Sequence, residues 1–161
     1  MYSKTPAKPA PQVFCTFEDL EVYRLAREFR KAMYVVTRQL PTHEKFELAS
    51  QIRRAAVSLT NNIAEGHGRY HYLDQIKFQL QARGSLLELI DDLNVCTDEQ
   101  YLPSEEVTKL KTQATAVHKL INGCIRHLRE RKTGADLELH ESSSVGEMID
   151  DDLDDPLANT I

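Results

Sequence analysis

Residues 50–69 read Ser-Gln-Ile-Arg-Arg-Ala-Ala-Val-Ser-Leu-Thr-Asn-Asn-Ile-Ala-Glu-Gly-His-Gly-Arg. Wound at 3.6 residues per turn, this stretch and the residues just before it divide into two faces. Leu48, Ile52, Ala55, Ala56, Leu59 and Ile63 share one side, and most of them are small enough for a second helix to approach closely. Glu47, Gln51, Arg54, Ser58, Asn61, Asn62 and Glu65 share the other. That side holds no lysine, and its groups are of the kinds that hydrogen-bond one another when partly buried. Gly66 and Gly68 end the helix. The stretch therefore reads as the centre of a helix bundle with a polar seam.

Working outward, the flanking sequence supplies three more helices. Thr16 with Asp19 three positions on forms a capping-box pattern that opens helix 1. Val22, Leu25, Ala26, Phe29, Ala32, Met33, Val36 and Leu40 then recur at helical spacing, and Pro41 stops the run. Thr42 is the expected cap of helix 2, with Glu44 in its first turn. Helix 3 covers roughly 71–98 and has two apolar stripes. One is Phe78, Ala82, Leu86, Leu89, Leu93 and Cys96; the other is Leu73, Ile76, Leu80, Leu87 and Ile90. Only Lys77, Gln81, Glu88, Asp91 and Asp92 read as wet. A helix apolar over so much of its girth needs cover on more than one side, which predicts self-association. Gly84-Ser85 in mid-helix costs about 1 kcal/mol against alanine and is expected where another helix comes close. After Tyr101-Leu102-Pro103, Ser104 caps helix 4, which buries Val107, Leu110, Ala114, Val117, Leu120, Ile121, Cys124, Ile125 and Leu128 and closes at Gly134. The fold class is all-α: an antiparallel up-down-up-down four-helix bundle over 16–132.

Composition divides the chain further. The formal charge of −5 is unevenly spread over the 161 residues: 16–132 carry 18 Lys or Arg against 16 Asp or Glu, and 133–161 carry nine acids and no base. Residues 1–15 hold Pro6, Pro9 and Pro11 and read as a mobile arm, whereas 133–161 read as a disordered acidic tail. Within that tail Ile149, Leu153, Leu157 and Ile161 recur every four residues. Cys15, Cys96 and Cys124 have no framework spacing, and no stretch is long and apolar enough for a signal peptide or a membrane span. The expected setting is the cytoplasm, with no membrane contact.

In helices 2 and 3 the runs Gln51-x-Arg53-Arg54-Ala55-Ala56-Val57-Ser58, Asn62-Ile63-Ala64-Glu65-Gly66-x-Gly68-Arg69 and Ala82-Arg83-Gly84-Ser85-Leu86-x-Glu88-Leu89 are specific. With Phe17-x-Asp19-Leu20, Pro41-x-x-Glu44, Phe78 and Tyr101-Leu102, they make the chain resemble a bacterial family of four-helix-bundle proteins. Those proteins are encoded by reading frames inside intervening sequences of large-subunit ribosomal RNA genes. The resemblance covers about 16–131 and implies a homopentamer without known catalysis. It is more distantly similar to the accessory proteins of diversity-generating retroelements, which bind a reverse transcriptase and its RNA. The chain departs from the family in having His71 where a serine commonly caps helix 3, and Gln75, Gln79 and Gln81 at positions that are often apolar.

The residues themselves hold no nucleophile–base pair, no phosphate-gripping glycine loop and no paired carboxylates. His67 with His71 and Cys124 with His127 lack the further ligands that structural zinc requires. No catalytic residue, metal or cofactor is expected. Arg24, Arg27, Lys31 and Arg38 form a basic stripe on the outer face of helix 1, flanked by Arg30 and by Tyr23 and Tyr34 as stacking groups, suited to RNA or DNA. Gln51, Arg54, Ser58, Asn61, Asn62, Glu65, Arg69, Gly84 and Ser85 are candidates for a polar or subunit-contact seam. The expected function is a self-assembling, pentameric, non-enzymatic scaffold. Its expected partner is nucleic acid or a nucleic-acid enzyme such as a reverse transcriptase. The alternative is a protein–protein adaptor that uses its acidic tail. A tail of that charge beside a basic stripe is also expected to compete with phosphate.

Overall fold

The computed structural model describes residues 16–140, with side chains through Arg131. The arm at 1–15, the run 141–161 and the adaptor reading built on the tail lie outside the described residues. Within them the chain is helical, without a strand. Helices α1 (Glu21–Gln39), α2 (Leu48–His67), α3 (Tyr72–Asp98) and α4 (Ser104–His140) are preceded or joined by short 3-10 turns at Phe17–Asp19 and Thr42–Lys45. In space α1 packs on α2, α2 on α3, α3 on α4, and α4 closes back on α1 through the narrowest seam. Three of the seams are antiparallel by their cross-links. Ser58 faces Ser85 and Gly66 faces Phe78 between α2 and α3. Lys111 reaches Asn94 and Arg83 reaches Asn122 between α3 and α4. Gln39 reaches Glu106 between α1 and α4, which also meet at Phe29 and Val117.

The apolar periodicities become the core. Every residue assigned to the apolar face of α2 is buried, as are Val22, Ala26, Phe29, Met33 and Val36 of α1. On α3 the first stripe points inward, while the second splits. Ile76 is buried, but Leu73, Leu80 and Leu87 stand outside at 62%, 38% and 41% exposure.

Several boundaries differ from the sequence reading. The Thr16 box exists: Thr16 Oγ1 accepts from the Glu18 amide, and Asp19 Oδ2 accepts from the Thr16 amide. It opens the Phe17–Asp19 turn, however, because Leu20 is extended and α1 starts at Glu21. Thr42 does not cap α2. After Pro41 the chain winds a 3-10 turn, and Glu44 takes over the role, its Oε2 accepting from the Leu48 amide at 3.2 Å. A carboxylate there also meets the positive end of the helix dipole. Glu44 Oε1 accepts from the Tyr101 hydroxyl at 2.9 Å, so the α1–α2 and α3–α4 connections are tied together. The Pro41-x-x-Glu44 and Tyr101-Leu102 elements of the resemblance thus meet in space. Holding a proton for Glu44 raises the Tyr101 pKa above its ordinary value. Ser104 lies inside the first turn of α4 rather than before it, and α4 runs past Gly134 to His140.

Asp92 reverses its expected place. It turns toward the interior at 6% exposure, and its Oδ2 has no hydrogen-bond partner among the described residues. Gln79 Oε1 is buried without a partner in the same way. Burial, then repulsion from Glu88 and Asp91, pushes the Asp92 carboxyl up to about 6. A carboxyl with a higher pKa folded than unfolded stabilises the fold while protonated, and loses that contribution as pH rises. The contribution of Asp92 to stability is therefore expected to fall by about 2–3 kcal/mol between roughly pH 4 and pH 6. Asp92→Asn should abolish this fall and raise the urea midpoint at neutral pH. Urea titrations of both proteins at several pH values check this, and an unchanged pH profile in the variant refutes it.

Candidate functional site

The basic stripe and the polar seam, read from different helices, converge. An open depression of about 460 Å³ is lined by Arg30, Lys31, Tyr34, Val35 and Arg38 of α1 and Val57 of α2. It continues into another of about 610 Å³, lined by Tyr34, Ser50, Arg53, Arg54, Val57, Ser58, Asn61 and Asn62. Tyr34 and Val57 belong to both, so the two are one groove along the α1–α2 seam. Five cations line it together with Tyr34, Val35 and Val57, and no carboxylate does.

Local chemistry decides how each cation is held. Arg30 is not an outward group of α1: its Nη1 donates at 2.8 Å to Oγ1 of Thr60, which is 1% exposed. The guanidinium is thereby fixed at the base of the groove. Thr60→Val keeps the side-chain shape and removes the acceptor. It should cost about 1–2 kcal/mol, read as a lower urea midpoint. Arg53 is held by donation from Nη2 to the Lys45 carbonyl at 2.9 Å. Lys31 pairs with Glu28 at 2.8 Å on the exposed side. That hydrogen bond comes first among the causes that lower the Glu28 pKa. Arg38 and Arg54 are exposed on opposite rims. Arg27, also exposed, lies one turn before Lys31 on the same face.

Arg24 stands apart from this group. Its Nε donates to the Glu18 carbonyl and its guanidinium lies 3.9 Å from Asp19, at the mouth of the α1–α4 cleft. The seam candidates divide as well. Ser58 and Ser85 share a hydrogen bond of 2.8 Å, and Asn62 Nδ2 donates to the Ser58 carbonyl and hydroxyl, so these three bind α2 to α3 within one chain. Gln51, Arg54 and Asn61 are exposed. Glu65 pairs with Arg69, whose guanidinium lies 4.8 Å from the centre of the Phe78 ring. These contacts lock the turn into α3, aided by Gln75 Nε2 donating to the Arg69 carbonyl.

Gly84 does not meet another helix of its own chain. It is exposed, and a Cβ there would find open space. The glycine in close contact is Gly66, where a Cβ would lie 3.0 Å from Phe78 Cβ. Sequence reasoning missed Arg53, Val57 and Val35 as groove residues. The available signal was the spacing of Ser50, Arg53, Val57 and Asn61, which places them along one flank of α2.

Among the described residues, no group of three or more His, Cys, Asp or Glu could hold a metal ion, and no helix is long and apolar enough to cross a membrane. His67 ends α2 and His71 precedes α3, on either side of the turn. Cys96 is buried, and that burial, with Asp92 and Glu44 nearby, pushes its thiol up to about 11.

Compared with known families, residues 18–123 match the family model of the 23S rRNA-intervening sequence protein, a span from the first turn into the middle of α4. None of the curated proteins compared with the chain matches it.

Proposed function

The chain belongs to the 23S rRNA-intervening sequence protein family, and on that premise we propose that it is a non-enzymatic scaffold that grips nucleic acid by the phosphate backbone. The observation that carries this reading is the α1–α2 groove, where five cations surround Tyr34 with no lining carboxylate. Such a groove offers phosphates their counter-charge and offers an unstacked base one aromatic face. Single-stranded RNA fits it better than a duplex, because stacking on a side chain needs a base that is free to turn out.

In this reading the scaffold is a cytoplasmic homo-oligomer, and the number five comes from the resemblance. Support comes from Leu73, Leu80 and Leu87, exposed at seven-residue intervals along α3 with Gly84 open between them. A ring would repeat the groove on each subunit and raise avidity without a new type of contact. That the partner is a reverse transcriptase or another nucleic-acid enzyme carrying the RNA belongs to the same proposal and rests on the resemblance alone.

The test is fluorescence anisotropy of a labelled single-stranded RNA against salt. If all five cations each neutralise one phosphate, affinity falls about 100-fold per groove between roughly 50 and 200 mM salt. No binding at low salt, or binding indifferent to salt, overturns the reading.

A further inference from the structure

The chain carries an acidic segment of its own beyond the described residues. Residues 141–161 carry seven acids and no Lys or Arg, and Asp151, Asp152, Asp154 and Asp155 are set around Leu153, with Leu157 four positions on. The near end of the groove has the complementary pattern, with Arg30 and Lys31 beside Tyr34, Val35 and Val57. Val35 is 45% exposed, an apolar seat left open between cations. We propose that Asp151–Leu157 docks in the α1–α2 groove of its own chain, the aspartates on Arg30 and Lys31 and the leucines on Val35 and Val57, and so competes with phosphate.

Charge directs the segment to this face. The outer side of α3 carries Glu88, Asp91 and Asp98 and repels it. Charge-assisted pairs to guanidinium and ammonium groups, with two aliphatic contacts, give the docked segment register as well as attraction. Reach permits it. In the antiparallel α1–α4 seam, where Gln39 meets Glu106, Lys31 lies level with Ala114 in the first third of α4, about 39 Å before His140 along the axis. The fourteen and fifteen residues from His140 to Asp154 and Asp155 span up to about 50 Å, which brings these two aspartates to Lys31 and leaves Asp151 and Asp152 nearer the end of α4. The competing acceptor is the basic end of α4 at Arg126, Arg129, Arg131 and Lys132. It lies nearer in sequence, and cross-linking separates the two acceptors by whether the product forms on Lys31 or on Lys132.

Docking stands without the nucleic-acid reading, whereas competition with phosphate rests on it. The full chain is treated at low salt with a carbodiimide, which joins a carboxylate to a nearby lysine amine, and the joined peptides are identified by mass spectrometry. The expected product joins Lys31 to Asp154 or Asp155. It is absent at about 500 mM salt, where surface attraction is screened, and it shows no mixed-isotope form when labelled and unlabelled chains are combined. Products spread evenly over the lysines, concentrated on Lys132 or joining two chains overturn the proposal.

The second arm uses the full chain with Asp151, Asp152, Asp154 and Asp155 each changed to Asn. It should bind single-stranded RNA about tenfold more tightly at roughly 50 mM salt, the two proteins converging as salt rises. Equal affinity at low salt overturns the competition. If neither protein binds RNA while the Lys31 product forms, docking is upheld and the nucleic-acid reading is the one that fails.

Discussion

With Leu80 and Leu87 both changed to Glu, the oligomer proposed above is expected to come apart, the variant sedimenting as a single 18.4 kDa copy. The two leucines are 38% and 41% exposed on one line of α3, so each has a sizeable apolar area left to cover. At 25 cal/mol per Å² each is worth about 2 kcal/mol when covered, and about 4 kcal/mol together weakens association about 1,000-fold. Two new carboxylates beside Glu88 and Asp91 add repulsion. Because neither leucine is part of the core, the circular dichroism of the helices should hardly change. Gly84→Ala sharpens the test. Open space around Gly84 means that alanine should stabilise the single chain by about 0.5–1 kcal/mol through helix propensity. If another subunit covers that spot, the same methyl should weaken assembly. A parent that is already monomeric at low micromolar concentration, by light scattering, removes the oligomer from the reading.

Reversing charge on both rims, Arg38→Glu with Arg54→Glu, should lower affinity for single-stranded RNA by about 100-fold at moderate salt. The slope of log affinity against log salt should become shallower by about 1.4, two single-strand contacts having been lost. Both residues are exposed, so stability should stay within about 0.5 kcal/mol of the parent. Arg24→Glu is the matched control, because Arg24 faces the α1–α4 cleft and its charge already serves Asp19. Its effect on RNA affinity should be about threefold or less. Equal losses from the control and the double variant would mean that general charge, not the groove, attracts the nucleic acid.

The helices were legible because their apolar residues keep one period over five or more turns. Ile52, Leu59 and Ile63 of α2, and Phe29 and Met33 of α1, could point nowhere but inward. The groove was legible only in halves. Periodicity assigns a residue to a face of its own helix, but says nothing of the rotation of the neighbouring helix. Arg30 therefore read as an outer group, although Thr60 lies opposite to receive it. Asp92 read as wet, in one band with Lys77, Gln81, Glu88 and Asp91. One residue is about 100° of helix turn, enough to separate solvent from the α2-facing side. Thr42 read as a cap from its residue type, while the carboxylate that does the capping arrives from Glu44 through a turn that only the three-dimensional chain path reveals.

The close approach of Phe78 to Gly66 has a consequence for how this chain can diverge. Since the obstructing atom is a Cβ and not the swinging end of a side chain, any side chain at position 66 requires α2 and α3 to give by a few tenths of an ångström. Positions 84 and 123, glycines too, meet no such obstacle in the single chain. A library randomised at all three and sorted for folded protein should return glycine and the smallest side chains at 66 and a broad mixture at 123. What it returns at 84 would then record whether selection is acting on one copy of the chain or on several.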